Sequence, residues 1–197
     1  MKPIFLIAFF TVLSCKSQSP VVGLDAYRHN TVDGAYFKDL NNELNKFEGT
    51  WVCNISGMTF TIKILKKTMV FNGKDYEDIL IGEYKYVENG NEVINTLANI
   101  NNSNSAKHNI YGRRIIANDM YVKCDDCLPS ERRVKLFITD SERKYLSVSL
   151  VLRYLTDEAN PEKMTATIKS NGGVIIPDDN SPTSLRVPYG EYLMIKQ

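Results

Sequence analysis

The sequence predicts a mainly β protein, one short N-terminal helix followed by an antiparallel β-barrel. Three observations carry that expectation. From Thr50 almost to Gln197 apolar residues recur at every second position, the spacing of strands with one buried and one wet face. Short turn signals separate these runs, so successive strands are antiparallel neighbours. Helical spacing occurs once, ahead of them, at Phe37, Leu40, Leu44 and Phe47.

Taken in order, residues 1–14 hold Lys2, an apolar run at 4–13 too short to span a bilayer, and Ser14, a small residue at a cleavage point. Cys15 follows directly, and Val12-Leu13-Ser14-Cys15 resembles a bacterial lipobox. That resemblance implies removal of 1–14 and acylation of Cys15, palmitate among the chains, which anchors the mature protein to a membrane. Two or three acyl chains, at about 0.8 kcal/mol per buried methylene, hold far more firmly than one. Residues 15–33 lack sustained periodicity and are expected to form a tether, with an r.m.s. span of roughly 20–25 Å for about 17 flexible residues. The folded domain is then 34–197. Its helix is expected at 37–47, with Asp33 as N-cap and Gly49 as the stop.

The strands follow from alternation. Met58, Phe60, Ile62 and Ile64 alternate with Thr59, Thr61 and Lys63; Val134, Leu136 and Ile138 with Arg133, Lys135 and Thr139; Leu146, Val148, Leu150 and Leu152 with Ser147, Ser149 and Arg153. Further strands are expected at 79–87, 92–97, 109–117, 120–123, 164–169 and 192–196, divided by turn signals such as Asn89-Gly90 and Asn118-Asp119. Eight to ten strands with single apolar faces must close around one core.

Removing residues 1–14 from 197 leaves 183, the size of one domain. The 24 basic and 23 acidic residues nearly cancel, so no bulk charge draws the chain to nucleic acid. Four cysteines, with Cys15 acylated, leave Cys53, Cys124 and Cys127, which cannot all pair within one chain.

Phe47-Glu48-Gly49-Thr50-Trp51 resembles the entry of a lipocalin-type barrel, with Gly-x-Trp opening the first strand and Trp51 closing one barrel end. The strings Ile81-Gly82-Glu83-Tyr84-Lys85-Tyr86, Glu88-Asn89-Gly90 and Asn95-Thr96-Leu97, with Cys15-Lys16-Ser17-Gln18, resemble an uncharacterised family of small Bacteroidota lipoproteins with a lipocalin-like barrel. The resemblance implies the barrel and the anchor, and no activity. Two departures from ordinary lipocalins stand out: Ser141 follows Thr139-Asp140 where those proteins often carry Tyr, and no helix follows the last strand before Gln197.

Candidate chemistry is sparse. Cys124-Asp125-Asp126-Cys127 follows a strand and not a helix start, and its aspartates would raise a thiol pKa, which argues against redox catalysis. A turn-closing disulfide between Cys124 and Cys127, a bond from Cys53 to either, and free thiols stay open. A zinc site would need His29 or His108, each poorly placed. Ser141-Glu142-Arg143-Lys144 matches Ser-x-x-Lys but lies in an expected hairpin turn, and Asp178-Asp179-Asn180 lacks EF-hand spacing. No catalytic residue, metal or cofactor is therefore expected. Arg114 shares its period-two register with Ile110, Gly112 and Ile116, which points it inward, where a guanidinium needs an anion; a bulge that turns it outward, or a pairing with an internal Glu, is the competing reading. With Tyr84 and Tyr154 it forms the candidate ligand lining.

The expected function is thus that of a membrane-anchored, non-enzymatic lipoprotein holding a small apolar or amphipathic ligand inside the barrel. The competing expectation is a protein-interaction or inhibitor module that uses its outer strands and the loops at 99–105 and 177–188. Lys16-Ser17-Gln18-Ser19 holds no acidic export signal, so the anchor is expected in the outer membrane, facing the periplasm. A barrel filled by its own side chains would remove the basis for an interior ligand.

Overall fold

The computed structural model describes residues 19–118, 123–172 and 176–197. Period-two patterning becomes strand almost wherever it occurs. In chain order the strands are β1 (Val21–Gly23), β2 (Tyr36–Lys38), β3 (Gly49–Ile55), β4 (Met58–Phe71), β5 (Tyr76–Glu88), β6 (Asn91–Asn95), β7 (Ile110–Ile116), β8 (Arg133–Ile138), β9 (Val148–Ala159), β10 (Glu162–Ser170) and β11 (Gly190–Lys196). Most of the strand expected at 120–123, together with Cys15 and residues 1–14, lies outside the described residues.

Eight of these strands make a closed antiparallel barrel in the order β3, β4, β5, β7, β8, β9, β10, β11. Each pairs with the next in chain order, and β11 returns to β3 through Ile195 opposite Val52 and Lys196 opposite Trp51. This is up-and-down connectivity, the product of short antiparallel connections. Asn89 and Gly90 take φ of 49° and 79°, as a tight primed turn requires, and set β6 against the end of β5.

Each barrel strand sends its alternate apolar residues inward. Phe60, Ile62 and Ile64 of β4, Leu136 and Ile138 of β8, Leu150 and Leu152 of β9, and Met164 and Ala166 of β10 all have 0% exposure. Trp51 is equally buried, and its indole Nε1 donates to the Phe47 carbonyl at 2.9 Å. Side chains without accessible surface border no space that water could enter, so the interior around them is filled.

The N-terminal helix is not formed. Phe37 lies in β2, which pairs in parallel with β1 on one side and with β5 on the other. After β2 the chain turns, with Asn42 at φ 55° and the Asp39 carboxylate accepting from the Glu43 and Leu44 amides, and only a 3-10 turn at Asn45–Phe47 follows. Phe37, Leu44 and Phe47 are buried while Leu40 is 57% exposed, so the helical spacing reported burial without helix. Asp33 caps nothing and pairs with Arg28 at 2.7 Å. The tether expected at 15–33 is likewise shortened, because β1 enters the sheet at Val21 and Arg28 pairs with the buried Asp75.

Three segments cover the outside of the barrel. Residues 20–38 run beside the end of β5. The 97–109 connection covers the outer face of β5, where Ile81 and Glu83 are wholly buried. Glu83 is held there by His108, whose Nδ1 lies 2.9 Å from Oε1, and by Asn109 Nδ2 donating at 2.7 Å to Oε2. Residues 123–132 lie over β9, whose Arg153 bonds Asp126 and Glu131.

Candidate functional site

The residues proposed to line an interior ligand site do not share a space. Tyr84, on the inner face of β5, is wholly buried; its hydroxyl donates to the Thr139 carbonyl at 2.9 Å and its ring packs edge-on against Phe60. Burial, then the charge of nearby Asp140, pushes this phenol far above its ordinary pKa. Tyr154 sits at the barrel end, where it packs edge-on against Phe47 and Trp51. Its hydroxyl donates to Glu162 at 2.6 Å, and that bond, helped by burial, raises its pKa to about 12. Both tyrosines are spent on structure.

Arg114 is on the outside: the bulge alternative holds, and the inward register does not. The β7–β8 pairing passes from Tyr111 opposite Phe137 to Arg114 opposite Lys135, so three steps on β7 match two on β8. This bulge surrounds Gly112, which takes φ 147° and approaches Leu136 so closely that a Cβ would stand 3.1 Å from the Leu136 Cα. One extra residue exchanges the faces: Ile115, not Arg114, joins Val134 in the core. The glycine within a strand run was the available signal.

Cys124 and Cys127 are joined by a disulfide, with their Cα atoms 5.3 Å apart. Cys53 is a buried thiol on the inner face of β3, and burial raises its pKa. Cys15 lies outside the described residues.

Displaced outward by the bulge, Arg114 borders a cleft of about 480 Å³ between residues 24–28 and the outer faces of β5, β7 and β8. Its apolar wall includes Ile79 and the stacked pair Tyr111 and Phe137, whose ring centroids are 5.4 Å apart and which are 40% and 41% exposed. The cationic wall holds Arg28, Arg113, Arg114, Arg132 and Lys135, against Asp25 and Glu77. Arg113 donates to Glu77 at 2.6 Å and to the Leu24 carbonyl at 3.2 Å, and stacks over Phe37. Arg132 is held by Glu43 and Asp25, and Arg28 by Asp33 and Asp75.

Arg114 and Lys135 are direct cross-strand partners, so two cations stand together on the outer face of the ladder. Burial first, and then the charge of Arg114, holds the Lys135 ammonium below the usual lysine range. A second cleft, of about 1010 Å³, adjoins the first through Glu77, Ile79 and Tyr111 and is walled by Asn, Ser and Thr side chains of the 97–109 connection and its neighbours. No helix of the described residues is long and apolar enough to cross a membrane.

No curated protein and no solved structure matches the chain. Residues 1–197 match the Family of unknown function (DUF6705), and the chain, a closed β-barrel with this cleft on its outer face, belongs to that family.

Proposed function

We propose that this protein is a lipid-anchored, non-enzymatic binding protein of the cell envelope, whose ligand is an amphipathic molecule with an anionic group held in the outer cleft. One observation carries this: the cleft sets an aromatic platform, Tyr111 on Phe137, beside two cations facing each other across the ladder, Arg114 and Lys135. An apolar body packs on the first and a carboxylate or phosphate is held by the second. The filled barrel moves the ligand from the interior to this surface.

The anchor supports the same placement. Val21, the first strand residue, stands six positions after Cys15, at most about 20 Å of extended chain. Residues 24–28, which wall the cleft, therefore stay close to the lipid, within reach of amphiphiles there. The leaflet we propose is the periplasmic face of the outer membrane. Cys15→Ala should leave uncleaved precursor on an immunoblot; normal processing of that variant would refute the anchor.

A second reading, an interaction module, draws on exposed Tyr27, Phe71, Tyr111 and Phe137 around the clefts. A titration with a fluorescent fatty-acid anion separates the two. Replacing both cations, Arg114→Glu with Lys135→Glu, should weaken binding by the folded protein at least about tenfold, the scale of one lost charge-assisted hydrogen bond. No binding by the wild type, or equal binding by the double variant, would favour the interaction module.

A further inference from the structure

One end of the barrel carries apolar side chains that the fold leaves uncovered. β3 begins at Gly49, opposite Ile64, and β4 continues past it to Phe71 before the turn into β5. There β1 and β2 widen the β4–β5 hairpin. Val21 stands opposite Tyr36, Tyr36 opposite Tyr76, and Tyr76 opposite Phe71. Directly opposed residues share a face of the sheet, so these four make one row, in which the Phe71 and Tyr76 rings lie 5.1 Å apart.

Val21 and Phe71, the ends of that row, are each more than half exposed. So are three residues around it. Leu40 follows β2, its Cδ1 3.8 Å from where a Cβ on Gly23 of β1 would stand. Met69 lies in the bulge of β4, its amide donating to Asp78 at 3.0 Å. Val32 is in the turn whose Gly34 amide donates to the Lys74 carbonyl at the hairpin tip. Exposed apolar residues scattered singly need no explanation, whereas a group gathered at one end marks a contact face.

Two observations choose what the face meets. Only six positions separate Val21 from Cys15, so with Cys15 acylated this end stands within about 20 Å of the lipid. The second is charge. The carboxylates here are already engaged: Asp33 pairs with Arg28 and Lys74, Asp75 with Arg28, and Asp39 with Lys66, while Asp78 accepts from the Tyr36 hydroxyl at 2.6 Å. Lys38 and Lys67 are exposed and, among the described residues, make no ion pair. Apolar side chains flanked by unpaired lysines match a bilayer surface, where phosphate head groups overlie hydrocarbon.

We propose that this end of the barrel is a lipid-docking face, with Val21, Leu40, Met69 and Phe71 entering the interfacial layer and Lys38 and Lys67 meeting its phosphates. The face depends on the anchor proposed at Cys15 and adds an orientation to it. An acyl anchor alone leaves the domain free to tumble; a docked end holds it in one attitude. Both clefts border this end, the first through residues 24–28, which follow β1, and the second through Phe71. Docking therefore sets both beside the bilayer, where amphiphiles are.

The lipidated full-length protein, reconstituted into vesicles of phosphatidylethanolamine and phosphatidylglycerol, tests this with a thiol-reactive fluorophore. Cys53 is buried, Cys124 and Cys127 are bonded to each other, and Cys15 is acylated in this form, so an added surface cysteine takes the label. Phe71→Cys and Leu40→Cys put it on the docking face. Ser56→Cys puts it in the β3–β4 turn, at the far end of the 14-residue β4, roughly 45 Å away. Lipids carrying a nitroxide should quench the labels at 71 and 40 and leave the label at 56 unchanged. Flotation of the vesicles reports the anchor separately. Protein that floats while either face label escapes quenching, or while all three are quenched alike, would overturn the docking face and keep the anchor. Protein that does not float would overturn the anchor and the docking face with it.

Discussion

Asp140 shows how a single buried charge fixes one end of the barrel. Its side chain is wholly buried beyond β8, and its two oxygens accept from Arg186 Nη2 and Nε at 2.6 and 2.8 Å and from the Glu142 amide at 3.0 Å. Burial pushes its carboxyl pKa up, but the Arg186 hydrogen bonds and the amides outweigh it and hold the group below its ordinary 3.8. A carboxylate depressed on folding contributes stability that is fully present above its unfolded value and is lost as pH falls through the folded one. Stability should therefore fall below about pH 4 in the wild type. In Asp140→Asn that component of the acid loss should vanish, while stability at neutral pH drops by about 1.5–3 kcal/mol, the worth of charge-assisted hydrogen bonds. Urea titrations from pH 3 to 7 measure both; parallel curves for the two proteins would contradict the assignment.

Within β7 one glycine decides which side chains face the cleft. Gly112 is at φ 147°, and an added methyl would meet the Leu136 Cα at 3.1 Å and the Lys135 carbonyl at 3.3 Å. Gly112→Ala should cost about 1–3 kcal/mol for the strained backbone and should also weaken ligand binding in the cleft, since the bulge aims Arg114. Denaturant midpoints and probe affinity check the two parts. The same bulge marks where the sequence ceased to be legible. Alternation identified β4, β8, β9, β10 and β11 because each has one face against a common core, a local property. It left Arg114 open between the two faces because a bulge is a one-residue offset fixed by contact with a neighbouring strand. It suggested a helix at 37–47 because spacing records which residues are buried; the parallel pairing of β2 with β5, distant in sequence, decides the backbone.

The molecule as a whole inverts the usual use of a small barrel. Aromatic and aliphatic side chains occupy the inside, while the segments at 20–38, 97–109 and 123–132 build clefts on the outside. That division follows from long, non-repetitive connections laid on a closed sheet: the sheet supplies a rigid surface, and the connections supply polar and charged walls. Sequence reasoning found the barrel but not the clefts, whose walls come from residues such as Leu24, Glu77 and Lys135, far apart in the chain. The claim that the ligand binds outside is tested most directly by photo-crosslinking with a diazirine fatty acid, followed by peptide mapping. Label should fall on peptides containing Tyr27, Tyr111 and Phe137. Label concentrated on the core residues Phe60, Leu150 and Met194 would place the ligand inside the barrel and contradict the account.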